Sequence, residues 1–135
     1  MYRNLLLPVV FDEGYDTQAS FLVARQLADE GASITVMHVV EAIPAYVAAQ
    51  MPKDLLTTSQ AEMKKNLDIA ARGIPGAKTA LVHGHAGRTI VEYARDHSVD
   101  CIILASHLPG LENYLLGSTA DRVVRHAPCS VHVIR

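Results

Sequence analysis

The stretch CIILASHLPGLENYLLGSTADRVVRHAPCSVHVIR, residues 101–135, decides how the rest of the chain is read. Its apolar run from Cys101 to Ala105 has the length and composition of a strand covered on both faces. A loop containing Pro109 and Gly110 follows, Gly117-Ser118 opens a helix that runs to His126, and a second strand closes the chain. Strand, helix, strand is a βαβ unit, which makes the two strands parallel. A glycine followed by a hydroxyl residue at a helix start leaves several N–H groups without intrahelical partners. With the positive end of the helix dipole these form an anion site, and phosphate is the guest it suits.

Upstream, the same alternation repeats. Residues 5–10 are almost continuously apolar, as a central parallel strand should be. Residues 15–30 follow a helical pattern, with Ala19, Leu22, Val23 and Leu27 on one stripe and Gly31 as the C-cap. Residues 33–40 give the second strand. Residues 41–51, with Pro44 and Pro52 nearby, read as a crossover loop, where Ile43, Tyr46 and Val47 could cover a ligand or a partner but suit ordinary packing on the domain better. The longest helix spans 53–72 and stops near Gly73 and Pro75; a third strand, 77–83, stops at Gly84. Ile90, Val91 and Ala94 mark a helix over 86–97, and the last helix is expected to bury Ala120, Val123, Val124 and Ala127. The pattern predicts one doubly wound α/β domain over residues 1–135, an open five-stranded parallel sheet with helices on both faces.

Half of the 135 residues are apolar, enough for one core and too few for two domains. A formal charge of −2 lacks the basic footprint of a nucleic-acid binder. No apolar run approaches the ~20 residues of a membrane span, and the N-terminus has no signal-peptide pattern, so a cytoplasmic protein is expected. The only two cysteines, Cys101 and Cys129, lie far apart in apolar strand patterns without CxxC spacing, which favours small core residues over a disulfide, redox or zinc motif.

Ser106-His107, Leu115-Leu116-Gly117-Ser118 and Val124-Arg125-His126-Ala127-Pro128-Cys129 resemble the C-terminal signature of the universal stress proteins. The resemblance extends along the chain. Met1-Tyr2-Arg3-Asn4-Leu5-Leu6-Leu7-Pro8 looks like that family's first strand, and Val36-Met37-His38-Val39-Val40 like its second. The branch often called F-type is most similar, with its own Ala-Ser-His, a proline and Tyr-Leu-Leu-Gly-Ser. The family fold is Rossmann-like, of the adenine nucleotide alpha hydrolase type. Together with right-handed crossovers it implies strand order 3-2-1-4-5, so that the first and fourth strands are neighbours at the topological switch point.

The resemblance further implies ATP, with or without Mg²⁺, at that crevice. The nucleotide-binding set it suggests is Pro8, Val9, Val10 and Asp12 after the first strand, Val39 in the second, Ala105, Ser106, His107, Leu108 and Gly110 after the fourth, and Gly117, Ser118 and Thr119 at the last helix. Gly117 and Ser118 match the end of the family's glycine-rich loop. The chain departs elsewhere: Ala105 and Leu108 stand where spaced glycines are usual, and the spacer to Gly117 is one residue shorter, with Gly110 near enough to substitute. At the adenine end Val10 occupies the position of a frequent Asp, so Asp12 is the candidate replacement, although a loop Asp is commonly just a turn residue. Val39 would meet adenine through its backbone, which tolerates side-chain change.

A competing view of the helix start needs no ligand: Ser118 could be an N-cap, with Asp121 closing a capping box. Among the seven histidines, His83-Gly84-His85 lacks a third metal ligand at a recognisable spacing. Ser106 and His107 are adjacent without an acid to orient the ring, so no nucleophilic centre and no catalytic residue is expected. Arg122 and Arg125 lie down the helix as solvated charges, and no GxxxxGK[ST] occurs. The protein is accordingly expected to bind nucleotide with at most slow hydrolysis. Its terminal strand from Ser130 to Arg135 is an exposed edge suited to a two-fold homodimer, which the resemblance also implies, with a tetramer compatible. The alternative function is a dimeric stress-response scaffold that binds no nucleotide.

Overall fold

The computed structural model describes residues 1–10, 17–41, 44–105 and 117–135, with the main chain alone at 56–58. Its elements are β1 (Tyr2–Pro8), α1 (Thr17–Leu27), β2 (Ala28–Val40), α2 (Ala45–Ala48), α3 (Lys53–Ala71), β3 (Lys78–His83), α4 (Ala86–Asp96), β4 (Cys101–Ala105), α5 (Ser118–His126) and β5 (Ser130–Ile134). The five strands form one sheet in the order β3-β2-β1-β4-β5, and every pairing is parallel.

The alternation of side chains along the strands divides the core in two. Leu5, Leu7, Val9 and Val36 point to the face covered by α1 and α3, where Phe21, Ala24, Leu67 and Ala71 meet them. Leu6, Met37, Ile102 and Leu104 point to the other face, against Ile90, Val91 and Ala94 of α4 and Ala120 and Val123 of α5. Because both faces are covered, β1 and β4 read as apolar runs rather than as alternating patterns. Truncating any of these fully buried leucines to alanine is expected to cost about 2–5 kcal/mol.

At the edge opposite the strand C-termini, Asp100 fastens β1 to the start of β4. Its carboxylate accepts the Arg3 and Asn4 N–H groups at 2.8 and 3.0 Å, while the Asn4 side-chain amide donates to the carbonyls of His97 and Ser98. Both thiols are free; burial, reinforced by Cys129 and Asp100, pushes Cys101 up to about 11, and burial also raises Cys129, so neither is an activated nucleophile.

Several boundaries differ from the sequence reading. Helix α1 stops at Leu27, and Ala28 already pairs with Tyr2; the register then shifts, so that Asn4 meets Ser33. Gly31 does adopt the left-handed φ of 79°, but it serves this irregularity within β2 and not a helix C-cap. Leu22 and Val124 are exposed at 59% and 47%, whereas Ser20, Phe21 and Ala24 make the inner face of α1 and Val123 with Ala120 that of α5. Val23 and Leu27 of α1 and Ala127 of α5 do pack against the core as expected, so Leu22 and Val124 are the exceptions, because apolar type alone does not set which face a helix presents. Within 41–51, expected to be loop, Ala45–Ala48 forms one helical turn after Pro44, whose fixed φ favours helix initiation.

Candidate functional site

The two central strands part company towards their C-terminal ends. The β1–β4 register comprises Leu5↔Cys101 and Leu6↔Ile102, yet β1 stays with β2 as far as Pro8↔Met37 and β4 stays with β5 as far as Ala105↔Ile134. This is the point where the strand order reverses, and the widening gap between Pro8 and Ala105 is the crevice an open α/β sheet offers to ligands.

Of the residues singled out from sequence, Pro8 ends β1 and Val9 and Val10 follow it, Ala105 ends β4, Gly117 is the N-cap of α5 and Ser118 and Thr119 start that helix, all on this edge of the sheet. Val39 lies on β2, one strand away, and packs against the core shared with α4 and α5. Asp12, Ser106, His107, Leu108 and Gly110 lie outside the described residues. Val9 differs in kind from its neighbours. Its side chain is buried in the core and its N–H donates to the Met37 carbonyl at 2.8 Å, so it anchors the crevice wall. Val10, the next residue, is 42% exposed and is the first of this wall to reach the surface.

The start of α5 bears on the capping view of Gly117-Ser118. Gly117 itself is the N-cap, with φ −63° and ψ 157°, and among the described residues no side chain is seen capping the helix. Ser118 is therefore the first helical residue, and Asp121 does not complete a capping box; its carboxylate receives the Arg125 Nε at 3.1 Å. The capping-box reading fails because Ser118 is one position too far along the helix. Gly117 has backbone angles any residue can adopt, so its conformation alone does not require a glycine there. The N–H groups of the first turn face the crevice end of the helix with the dipole's positive pole behind them.

Helix α4 starts on the same edge under different terms. There the Ala86 N–H donates to Glu41 Oε1 at 3.3 Å, a carboxylate delivered from the end of β2. Arg122, expected to be a solvated charge, lays its stem across α4: a Cβ added at Gly87 would stand 2.8 Å from Arg122 Cδ. His83 and His85 are exposed, and among the described residues no group of three or more His, Cys, Asp or Glu could hold a metal ion.

Sequence reasoning missed His38 and Glu41. His38 Nδ1 lies 2.9 Å from the Val9 carbonyl, and that contact, like the one at Ala86, joins segments distant in sequence. A polar side chain at the C-terminal end of a buried strand was the available signal for both.

Fold and site together define an open doubly wound α/β domain with the start of a helix at its switch point. The family model that describes the universal stress protein family matches residues 1–135, and the chain belongs to that family. A universal stress protein of Methanothermobacter thermautotrophicus is 25% identical over 149 residues, covering 100% of this chain and 97% of that one. The structure of the universal stress protein UspA from Lactobacillus plantarum is 31% identical, covers 99% and 98% of the two chains and superposes with a TM-score of 0.70. The same fold recurs at lower identity in the Archaeoglobus fulgidus universal stress protein in complex with dAMP, 14% identical with 99% and 98% covered and a TM-score of 0.67. It recurs again in an Arabidopsis thaliana family protein with AMP bound, 17% identical, with 98% and 90% covered and a TM-score of 0.60. Among the described residues no helix is long and apolar enough to cross a membrane.

Proposed function

We propose that this protein is a cytoplasmic stress-response protein of the F-type branch that binds an adenine nucleotide, ATP foremost, in the crevice between β1 and β4. The observation that carries this reading is the start of α5 at the switch point, where Gly117 is the N-cap and no side chain of the described residues supplies an acceptor to the first turn. The phosphates would be received there by the N–H groups of Ser118, Thr119 and Ala120 and by the Ser118 hydroxyl. Ala105 is small enough to let a ribose approach, and Pro8, Val10 and the backbone of Val39 would form the adenine side. Asp12, Ser106, His107, Leu108 and Gly110 would complete the loop around ribose and phosphates. Relatives with dAMP and AMP bound support the ligand class.

Nucleotide occupancy would bias association rather than drive rapid turnover. The described residues supply no metal cluster, so Mg²⁺ would arrive with the nucleotide, and hydrolysis would be slow at most. The exposed edge of β5, residues 130–135, would pair across a two-fold axis to give a homodimer, with a tetramer as the next assembly.

Calorimetry or native mass spectrometry on the purified protein should show ATP or AMP binding with a Kd on the order of micromolar to sub-millimolar. No binding at millimolar ATP with Mg²⁺ sinks the reading. The exposed apolar side chain of Val10, at a position where the family often has an acid, favours the second reading, a dimeric scaffold without nucleotide; that reading predicts the same oligomer with and without ATP.

A further inference from the structure

The most informative contact outside the start of α5 joins the C-terminal end of β2 to the chain leaving β1. Val9 lies one residue beyond β1, past the final register pair Pro8↔Met37. Its N–H still donates to the Met37 carbonyl at 2.8 Å, and its own carbonyl meets His38 Nδ1 at 2.9 Å. Both backbone groups of Val9 are thus held by two successive residues of one strand. A carbonyl oxygen only accepts, so Nδ1 must carry the proton, and the ring is fixed as the Nδ1–H tautomer whenever it is neutral.

The consequence reaches the ligand edge. Pro8 has no N–H to give, so the sheet has few ways to hold the chain here, and Val10 immediately beyond is already exposed. Pinning the Val9 carbonyl fixes the peptide plane that links Val9 to Val10, because the six atoms of that plane move together. The direction in which the chain leaves β1 is then set by a side chain and not by the ladder alone. Met37 is fully buried, so the strand that bears His38 is itself immobile, and the ring is half-buried among packed neighbours.

We propose that His38 is a positioning residue: its Nδ1–H locks the Val9–Val10 peptide and thereby sets the β1 wall of the crevice against which a ligand base rests. The inference rests on the nucleotide reading for the identity of the ligand, while the lock itself does not. Asparagine can place its side-chain amide N–H where Nδ1 stands, leucine offers shape without a donor, and the two variants separate hydrogen bonding from filling of space.

Titration with AMP is expected to give His38→Asn within about threefold of the wild-type Kd and His38→Leu at least about tenfold weaker, with matching circular dichroism spectra. Exchange of the Val9 amide should be accelerated in His38→Leu and not in His38→Asn. Equal affinities for all three proteins would overturn the proposal. Should His38→Leu fail to fold, long-range ¹H–¹⁵N spectra of the wild type without ligand decide the matter: a neutral ring protonated on Nδ1 supports the lock, and one protonated on Nε2 alone overturns it. A wild-type protein that binds neither AMP nor ATP would sink the nucleotide reading instead, leaving the tautomer and the amide exchange to judge His38.

Discussion

Helices α4 and α5 lie side by side on one face of the sheet and begin at the same edge, but they treat their N-termini in opposite ways. For α4 the chain brings its own acid, Glu41, to the Ala86 N–H. For α5 the first-turn acid, Asp121, turns along the helix to Arg125, and no side chain among the described residues caps the start. The physics at the two ends is the same, four N–H groups without intrahelical partners and a partial positive charge. What differs is who supplies the acceptor. Among the described residues the need is met by a side chain at one helix and not at the next, and the proposed nucleotide site rests on that difference.

The largest expected effect comes from making α5 resemble α4. Gly117→Asp puts a carboxylate on the N-cap, whose backbone angles already suit it, and should weaken AMP or ATP binding at least about 100-fold, about 2.8 kcal/mol. The same change should leave thermal stability equal or higher by up to about 1 kcal/mol, since an acid there complements the dipole. Calorimetry and a melting curve read both signs at once; parallel loss of binding and fold would show that Gly117 serves the fold alone.

The converse substitution makes α4 resemble α5. Glu41→Ala should cost only about 0.5 kcal/mol, because the bond is exposed and long, and should leave nucleotide affinity within about twofold. Added inorganic phosphate should then shift the Ala86 amide resonance. If Glu41→Ala instead weakened nucleotide binding as much as Gly117→Asp, the ligand would sit at the wrong helix and the comparison would break.

The smallest effect concerns Asp121. Arg125 neutralises it in an exposed pair, so Arg125→Ala should change stability by no more than about 0.5 kcal/mol. It should still lower AMP affinity about twofold, since an uncompensated carboxylate in the first turn repels phosphate. An unchanged titration would mean that solvent already screens this charge.

The features legible from sequence were those written in local pattern. β1, β4 and the start of α5 could be read because a doubly buried parallel strand is continuously apolar and a Gly-Ser pair is a helix-start signal. The strand order followed from crossover handedness together with the family resemblance. What escaped was set by tertiary contacts. Ala28 looks like a helix residue until Tyr2 pairs with it, and Gly31 has the conformation expected of a C-cap but uses it within a strand. Leu22 and Val124 are apolar enough for either face, and only packing chose. The same holds at the site: Gly117 was visible, but that Ser118 is not the cap depends on where the helix begins, and Glu41 and His38 act through neighbours about 45 and 29 residues away.

The Asp100 clasp carries a consequence for how the chain is made. It ties Asp100 to Arg3 across a sequence separation of 97, and β1 is the middle strand of the sheet. A ribosome therefore delivers the middle strand well before the β4–β5 flank that pairs with it. Until residues near 100 emerge, β1 has one neighbour and an open, apolar edge. Closing so long a loop is slow, and the unfinished chain is at its stickiest in that interval. Nascent chains arrested before residue 100 should accordingly engage holding chaperones, and those released just beyond residue 105 should begin to lose them.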